Sequence, residues 1–184
     1  MVKVIDNFLS AGYFKEIQEV LLGNTFPWFY KNNITSYYDK NDINQYGFSS
    51  LIYEKIPEVY SSNYFDFLLP FMLEFSNKSD ILRCRADMIT NKNIELNHDI
   101  HVDFNFEHIS SVFYVNESDG DTIVYKNKYP EEPNNLVIEE KICPKPNRLV
   151  IFDGLQWHTG KSPNKHNNRV IINTNTKKYD SSNR

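Results

Sequence analysis

From Ile81 to residue 175 the sequence breaks into eight short apolar segments, 81–90, 100–104, 110–116, 121–126, 136–143, 148–152, 156–160 and 169–175, with Asn, Gly, Pro and Asp in the gaps. A strand and a turn about every ten residues is the pattern of an antiparallel sandwich or barrel, because a βαβ unit would need a helix between successive strands. The first 78 residues read differently. Residues 4–9 look like a short strand, and Ser10 stands where a helix N-cap belongs. Phe14, Ile17 and Leu21 then form one apolar stripe through 11–22, stopped by Gly23 and Asn24. Residues 26–30 resemble an edge strand, and 31–50 is polar with little periodicity. Ser61 or Ser62 opens a second helix to about residue 77, with Tyr64, Phe65, Leu68, Leu69, Met72 and Phe75 on its buried side and Pro70 as a kink. The expectation is a mainly β fold with flanking helices (α+β) in a single domain, 1–184: 1–79 mainly helical support, 80–176 the sheet core and 177–184 a tail. A chain of 184 residues buries roughly 70% of its unfolded surface, enough for one full core, whereas two halves would each be marginal.

Net charge is −4, from 20 basic and 24 acidic residues, which argues against a chain built to neutralise many phosphates and so against nucleic acid as a partner. One local exception follows His158, where Lys161, Lys165, Arg169, Lys177, Lys178 and Arg184 face only Asp180. No apolar run approaches the roughly 20 residues of a membrane span, and the N-terminus lacks the pattern of a signal peptide. A cytoplasmic location is the expectation. Cys84 and Cys143, far apart in a chain this size, are expected to be small buried thiols rather than a disulfide. The loop 127–135, punctuated by prolines, suits a lid and equally an inert surface excursion.

The chemistry concentrates in HDIHVDF. His101 and Asp103 are two residues apart in a β-rich stretch, so a strand's period of two points both to one face. A third metal ligand must come from elsewhere, and the candidate is His158, where a strand runs into a turn. Two imidazoles and one carboxylate on one face leave other positions open, the ligand set of non-haem iron(II) oxygenases. In the strand RVIINTN, alternation puts Arg169, Ile171 and Asn173 on one face. An arginine inside a barrel needs an anion, and its planar fork suits a carboxylate. A dicarboxylate co-substrate is therefore suggested. Arg83 and Arg85, which share a strand face with Asp87, are its rivals for that role, although pairing with Asp87 is a sufficient explanation. His98 and His108 are expected to be supporting or surface groups, His166 solvent-exposed, and Trp157 packed on the barrel wall. Asp99 and Asp153 lack a histidine two residues before them and are not taken as ligands.

HVD (101–103), FYVN (113–116), DGDT (119–122), NRLVIFDG (147–154), WHTG (157–160) and RVIIN (169–173) stand in the order and spacing of the Fe(II)/2-oxoglutarate-dependent dioxygenases. The sequence looks most like the prolyl-4-hydroxylase-type branch, and closely like the small oxygenases carried by marine phages. The resemblance is strong over 81–176 and looser through IDNFLS and the amphipathic helix after it. It implies a double-stranded β-helix, a jelly-roll barrel flanked by helices. It also implies that His101, Asp103 and His158 hold Fe(II), and that Arg169 pairs with the distal carboxylate of 2-oxoglutarate with the Tyr114 hydroxyl beside it. O2 is then the second co-substrate and ascorbate the reductant in vitro. The implied reaction couples oxidative decarboxylation of 2-oxoglutarate, to succinate and CO2, with hydroxylation of an unidentified substrate; a peptidyl, prolyl-type residue is the analogy. Two features depart from the family pattern. Asp119-Gly120 stands where a glycine pair is frequent, and the segment before HVD offers no tyrosine for the co-substrate. Two other readings stand beside this one: a non-catalytic jelly-roll module that retains a metal, and a cupin-like enzyme working without 2-oxoglutarate. A structural metal site has no need of Arg169 and Tyr114, and cupins usually take more histidines.

Overall fold

Alternation along the strands decides which side chains go where. In the computed structural model, which describes residues 1–35, 44–57, 59–94 and 96–178, the elements run in chain order as β1 (Lys3–Ile5), α1 (Ala11–Leu21), β2 (Phe29–Lys31), β3 (Gly47–Glu54), β4 (Tyr60–Ser61), α2 (Phe65–Leu73), a 3-10 turn (Lys78–Asp80), β5 (Ile81–Thr90), β6 (His108–Tyr114), β7 (Thr122–Lys128), β8 (Ile138–Ile142), β9 (Arg148–Asp153), β10 (Gln156–Gly160) and β11 (Asn168–Lys177). The larger sheet has the order β1-β9-β6-β11-β5-β3-β2, with β4 also on β3; the smaller is β10-β7-β8. Every pairing is antiparallel. The result is a jelly roll.

On β11, Val170 and Ile172 join Phe113, Val115, Leu149, Cys84 and Ala86 in a core against Ile17 and Leu21 of α1 and Phe65, Leu68, Phe71 and Met72 of α2. The intervening Ile171 turns the other way, into a second cluster with Val112, Tyr114, Val124, Ile142, Val150 and Phe152 between the sheets. One face of the larger sheet is thus plastered by helices and the other looks into the barrel. Leu68, Phe71, Met72 and Ile17 are fully buried, each stabilising the fold by roughly 1.5–3 kcal/mol. Asn147 ties the N-terminal segment to the sheet. It sits at φ 61°, and its side-chain amide accepts from Leu9 N (2.8 Å) and donates to Leu9 O (2.9 Å).

Several expectations need correction. The first 79 residues supply strands as well as helices, and β3 pairs with β5 along most of its length, so the sheet runs across the expected boundary between support and core. β3 escapes a periodicity reading because a bulge interrupts it between Leu51 and Tyr53 and because its buried positions include Ser49 and Ser50. Residues 36–43 of the polar stretch, and the tail from 179 onward, lie outside the described residues. α2 ends at Leu73, three residues past Pro70, rather than near 77. The segment 100–104 is not a strand; His101 meets β10 through an isolated bridge to His158. Both cysteines are free, but only Cys84 is buried, and Cys143 is exposed. Among the described residues no helix is long and apolar enough to cross a membrane.

Candidate functional site

His158 lies on β10 of the smaller sheet, and the segment carrying His101 runs alongside it. The two residues exchange backbone hydrogen bonds, His101 N to His158 O and His158 N to His101 O, both 3.0 Å. Their rings lie 4.5 Å apart between centroids. Asp103 closes the group: its Oδ2 is 3.7 Å from His158 Nε2, and the ligand atoms of His101, Asp103 and His158 all lie within 4.8 Å of one another. Each imidazole has its Nδ1 committed to a carbonyl, His101 to Asp99 O and His158 to Gln156 O, both at 3.0 Å. A donating Nδ1–H leaves Nε2 with its lone pair, the tautomer a metal ligand requires.

Protonation favours the same state. Burial, reinforced by the neighbouring His101, holds the His158 imidazole down to about 4, and burial also lowers His101 against the pull of Asp103. Burial alone would raise the Asp103 carboxyl, but Arg83 and the two histidines outweigh it and hold it well below the usual carboxylate range. At neutral pH the site thus presents two neutral imidazoles and a carboxylate, ready to accept a cation without first losing protons. The Asp103 carboxylate is itself fixed in place: Arg83 Nη2 donates to Oδ1 at 2.7 Å, while Ser110 Oγ (2.8 Å) and Asn175 Nδ2 (2.9 Å) donate to Oδ2. Sequence reasoning missed these partners. Their signal was the alternation of β11, which puts Asn173 and Asn175 on the face of Arg169.

That inner face leads to Arg169, only 3% exposed. Its Nη2 donates to Thr122 Oγ1 at 2.6 Å, its Nε has no hydrogen-bond partner, and among the described residues no carboxylate pairs with it. A buried guanidinium left in this state is unstable by itself and suited to an incoming anion. Tyr114 is fully buried, and its hydroxyl donates to the same Thr122 Oγ1 at 2.7 Å. Thr122, which sequence reading did not single out, therefore bridges the two. Burial raises the Tyr114 phenol against the lowering influence of Arg169, so the hydroxyl keeps its proton. A cavity of about 60 Å³ joins His101 and His158 to Arg169, Thr122 and Asn173, with Arg85 and Asp87 on its wall.

The remaining candidates fall outside this group. His98 is buried, with Gln45 Oε1 at 2.8 Å from Nδ1 and Ser162 Oγ at 3.0 Å from Nε2; it lines the cavity but is not one of the three grouped residues. His108 is buried, donating Nδ1–H to Phe106 O at 2.7 Å. His166 is not simply in solvent: its Nδ1 lies 3.0 Å from Asp119 Oδ1. Asp119 also accepts from the backbone of Asn164, Lys165 and His166, which gives the departure from the glycine pair its own structural use. Trp157 is buried and donates Nε1–H to Glu131 O at 2.9 Å, pinning the loop that follows β7. Arg85 pairs with Asp87 as expected, whereas Arg83 pairs with Asp103. Asp99 and Asp153 contact Thr35 and Lys128.

No protein-family model and no curated protein matches the sequence. Solved structures do. The chain is similar to a 2OG-Fe(II) oxygenase family oxidoreductase from Burkholderia pseudomallei, with 13% identity over all of this chain and 88% of that one and a TM-score of 0.67. It is similar to a prolyl hydroxylase from Trichoplax adhaerens, solved with a hypoxia inducible factor peptide fragment, at 18% identity, 95% and 82% coverage and TM-score 0.61. A Pseudomonas putida prolyl-4-hydroxylase matches at 13% identity, 97% and 93% coverage and TM-score 0.59. At these identities the likeness establishes the architecture: the chain has the jelly-roll fold on which 2-oxoglutarate- and iron(II)-dependent oxygenases, prolyl hydroxylases among them, are built.

Proposed function

We propose that this protein is an iron(II)- and 2-oxoglutarate-dependent oxygenase that hydroxylates a C–H bond, with a peptidyl, prolyl-type residue as the nearest analogy for its substrate. The observation that carries the reading is the pairing of two features inside one barrel: three metal-competent side chains, and an arginine buried without an anion. A metal-retaining binding module accounts for the first and leaves the second unexplained.

In this reading His101, Asp103 and His158 would hold the ion, the histidines through Nε2 and Asp103 through a carboxylate oxygen. The chemistry that iron(II) supplies at such a site is the coupling of O2 reduction to two oxidations, one oxygen atom entering succinate as 2-oxoglutarate loses CO2 and the other entering the substrate as hydroxyl. The protein's own work is placement. Asp99 O and Gln156 O hold the imidazoles in the ligating tautomer. Arg83, Ser110 and Asn175 hold the carboxylate at a set angle. Arg169 offers Nε and a second amino group to the distal carboxylate of 2-oxoglutarate, with Thr122 and Tyr114 beside it, at a depth where water does not compete.

Purified protein supplied with iron(II), ascorbate, O2 and 2-oxoglutarate should form succinate, slowly even without substrate. His101→Ala and His158→Ala should each abolish that turnover and the binding of Mn(II) measured by titration. Turnover that survives either change refutes the ligand assignment.

A further inference from the structure

Next to the cavity that joins His101 and His158 to Arg169, β2, β3 and residues 60–64 border an open groove of about 640 Å³, and Arg83 and Arg85 line it. That volume is in the range of about 300–1,000 Å³ typical of ligand sites. Arg83 is committed: Nη2 to Asp103, Nε to Asn175 at 3.1 Å, its flat face 4.7 Å from the Phe104 ring centre. Arg85 is not. Only its Nε is engaged, at 2.8 and 2.9 Å from the two oxygens of Asp87, and among the described residues neither of its Nη groups makes a hydrogen bond. Arg85 alone of the two also lines the cavity shared by His101, His158 and Arg169. Its open fork therefore stands where the groove meets that cavity.

The groove is also more basic than the chain. Lys31, Arg83 and Arg85 line it against Glu54, in a protein whose net charge is −4; Asp103, which pairs with Arg83, and Asp87, which pairs with Arg85 from the wall of the adjoining cavity, do not line the groove. Its wall adds hydroxyl and amide donors from Ser49, Ser61 and Asn63. Resting on the oxygenase reading above, in which the deeper Arg169 takes the co-substrate, we propose that the substrate bears a carboxylate, held by the Nη groups of Arg85, with the rest of the molecule in the groove. A planar two-donor fork matches a carboxylate in a way a lone ammonium does not. The carbons next to a carboxylate seated there would lie at the cavity lined by His101 and His158. Arg85 is then a specificity residue, deciding which substrates are presented.

The test uses the full chain loaded with Mn(II) and 2-oxoglutarate, so that nothing turns over, and matched probes read by ligand-observed NMR and calorimetry: N-acetylproline against N-acetylprolinamide, and a capped Pro-Glu peptide against the capped Pro-Gln peptide. At least one acid should bind about tenfold more tightly than its amide, about 1.4 kcal/mol. Preference in the first pair identifies a free carboxylate as the source, and preference in the second an acidic side chain within a peptide. Arg85→Gln should erase the preference, and Arg85→Lys should keep the charge and part of the preference, without a matching loss of 2-oxoglutarate affinity. Acids and amides that bind alike, or no binding by any probe, overturn the proposal even before a variant is made. So does an Arg85→Gln protein that loses 2-oxoglutarate instead of the acid. Mn(II) and 2-oxoglutarate affinities of the unaltered protein, taken from the same samples, report separately on the oxygenase reading.

Discussion

Replacing Arg169 by methionine should cost the protein little or no stability by itself and make it less responsive to 2-oxoglutarate. Arg169 is a buried cation without a carboxylate partner, and an uncompensated charge of that kind costs about 3–5 kcal/mol. Two contacts offset it. The bond from Nη2 to Thr122 at 2.6 Å contributes about 1.5–3 kcal/mol as a charged hydrogen bond, and the guanidinium lies 5.5 Å from the Tyr114 ring centre, worth about 2 kcal/mol at a desolvated site. These terms cancel to within about 1 kcal/mol, so Arg169→Met should shift the melting temperature by no more than about 2–4 °C in a chain of this size. The anion separates the two proteins. At a concentration one hundred times its Kd, 2-oxoglutarate stabilises the Mn(II)-loaded protein by about 2.7 kcal/mol. If the lost ion pair weakens binding about 30-fold, or 2 kcal/mol, the variant at the same concentration gains only about 0.9 kcal/mol. Thermal unfolding of both proteins with and without 2-oxoglutarate reads all four values. A variant that melts more than about 4 °C lower without ligand, or that gains as much from 2-oxoglutarate as the parent, refutes the argument that Arg169 awaits an anion.

Two further outcomes follow from groups outside the site. Asn147→Ala should cost about 2–3 kcal/mol, because both hydrogen bonds to Leu9 go and a non-glycine residue remains at positive φ; Asn147→Gly should recover the backbone part only, and denaturant titration that finds the two variants equal contradicts this division. Asp119, raised by burial but lowered more by His166 and three backbone donors, is held at about 2 against an ordinary carboxylate near 3.8. Its contribution is present above the unfolded value and lost as pH falls from about 3.8 toward 2. Asp119→Asn should flatten the fall in melting temperature over that window, and an unchanged slope shows that the loop 164–166 gains nothing from the charge.

How much of this was legible beforehand depends on whether a residue's role is set by its own strand or by a neighbour distant in sequence. β11 could be read because its alternation is unbroken: Arg169, Ile171 and Asn173 inward, Val170 and Ile172 outward. α1 could be read for the same reason at helical spacing, Ile17 and Leu21 forming its buried side. β3 could not, because a bulge breaks its period and serines occupy its buried positions. The HxD spacing led to a grouping the structure reproduces, although the strand argument behind it fails: residues 97–101 follow β10 through isolated bridges at Asn97 and His101. Arg83 illustrates the other limit. Its ion pair with Asp103 spans 20 residues, and nothing local separates that pairing from the one Arg85 makes with Asp87.

The same sheet that carries the site is held from its opposite side, and this division explains how the inner face tolerates so much polarity. Arg169, Asn173 and Asn175 project from β11 into the barrel, where Asn173 Oδ1 and Arg169 Nε have no partner. Groups of that kind are expensive in a core that must also supply stability. Here the helix-side cluster, with Ile17, Leu21, Leu68, Phe71 and Met72 against Val170 and Ile172, supplies apolar burial on residues that alternate with the polar ones along the very same strand. Because a strand's two faces are chemically independent at a spacing of one residue, Val170 and Ile172 secure β11 to the helices while Arg169 and Asn173 remain available to ligands. Truncating Ile172 should therefore lower stability without altering which anion Arg169 selects, whereas changes at Arg169 and Asn173 should alter ligand response at little or no cost in stability. The period of two turns a single strand into both the anchor of the fold and the wall of its site.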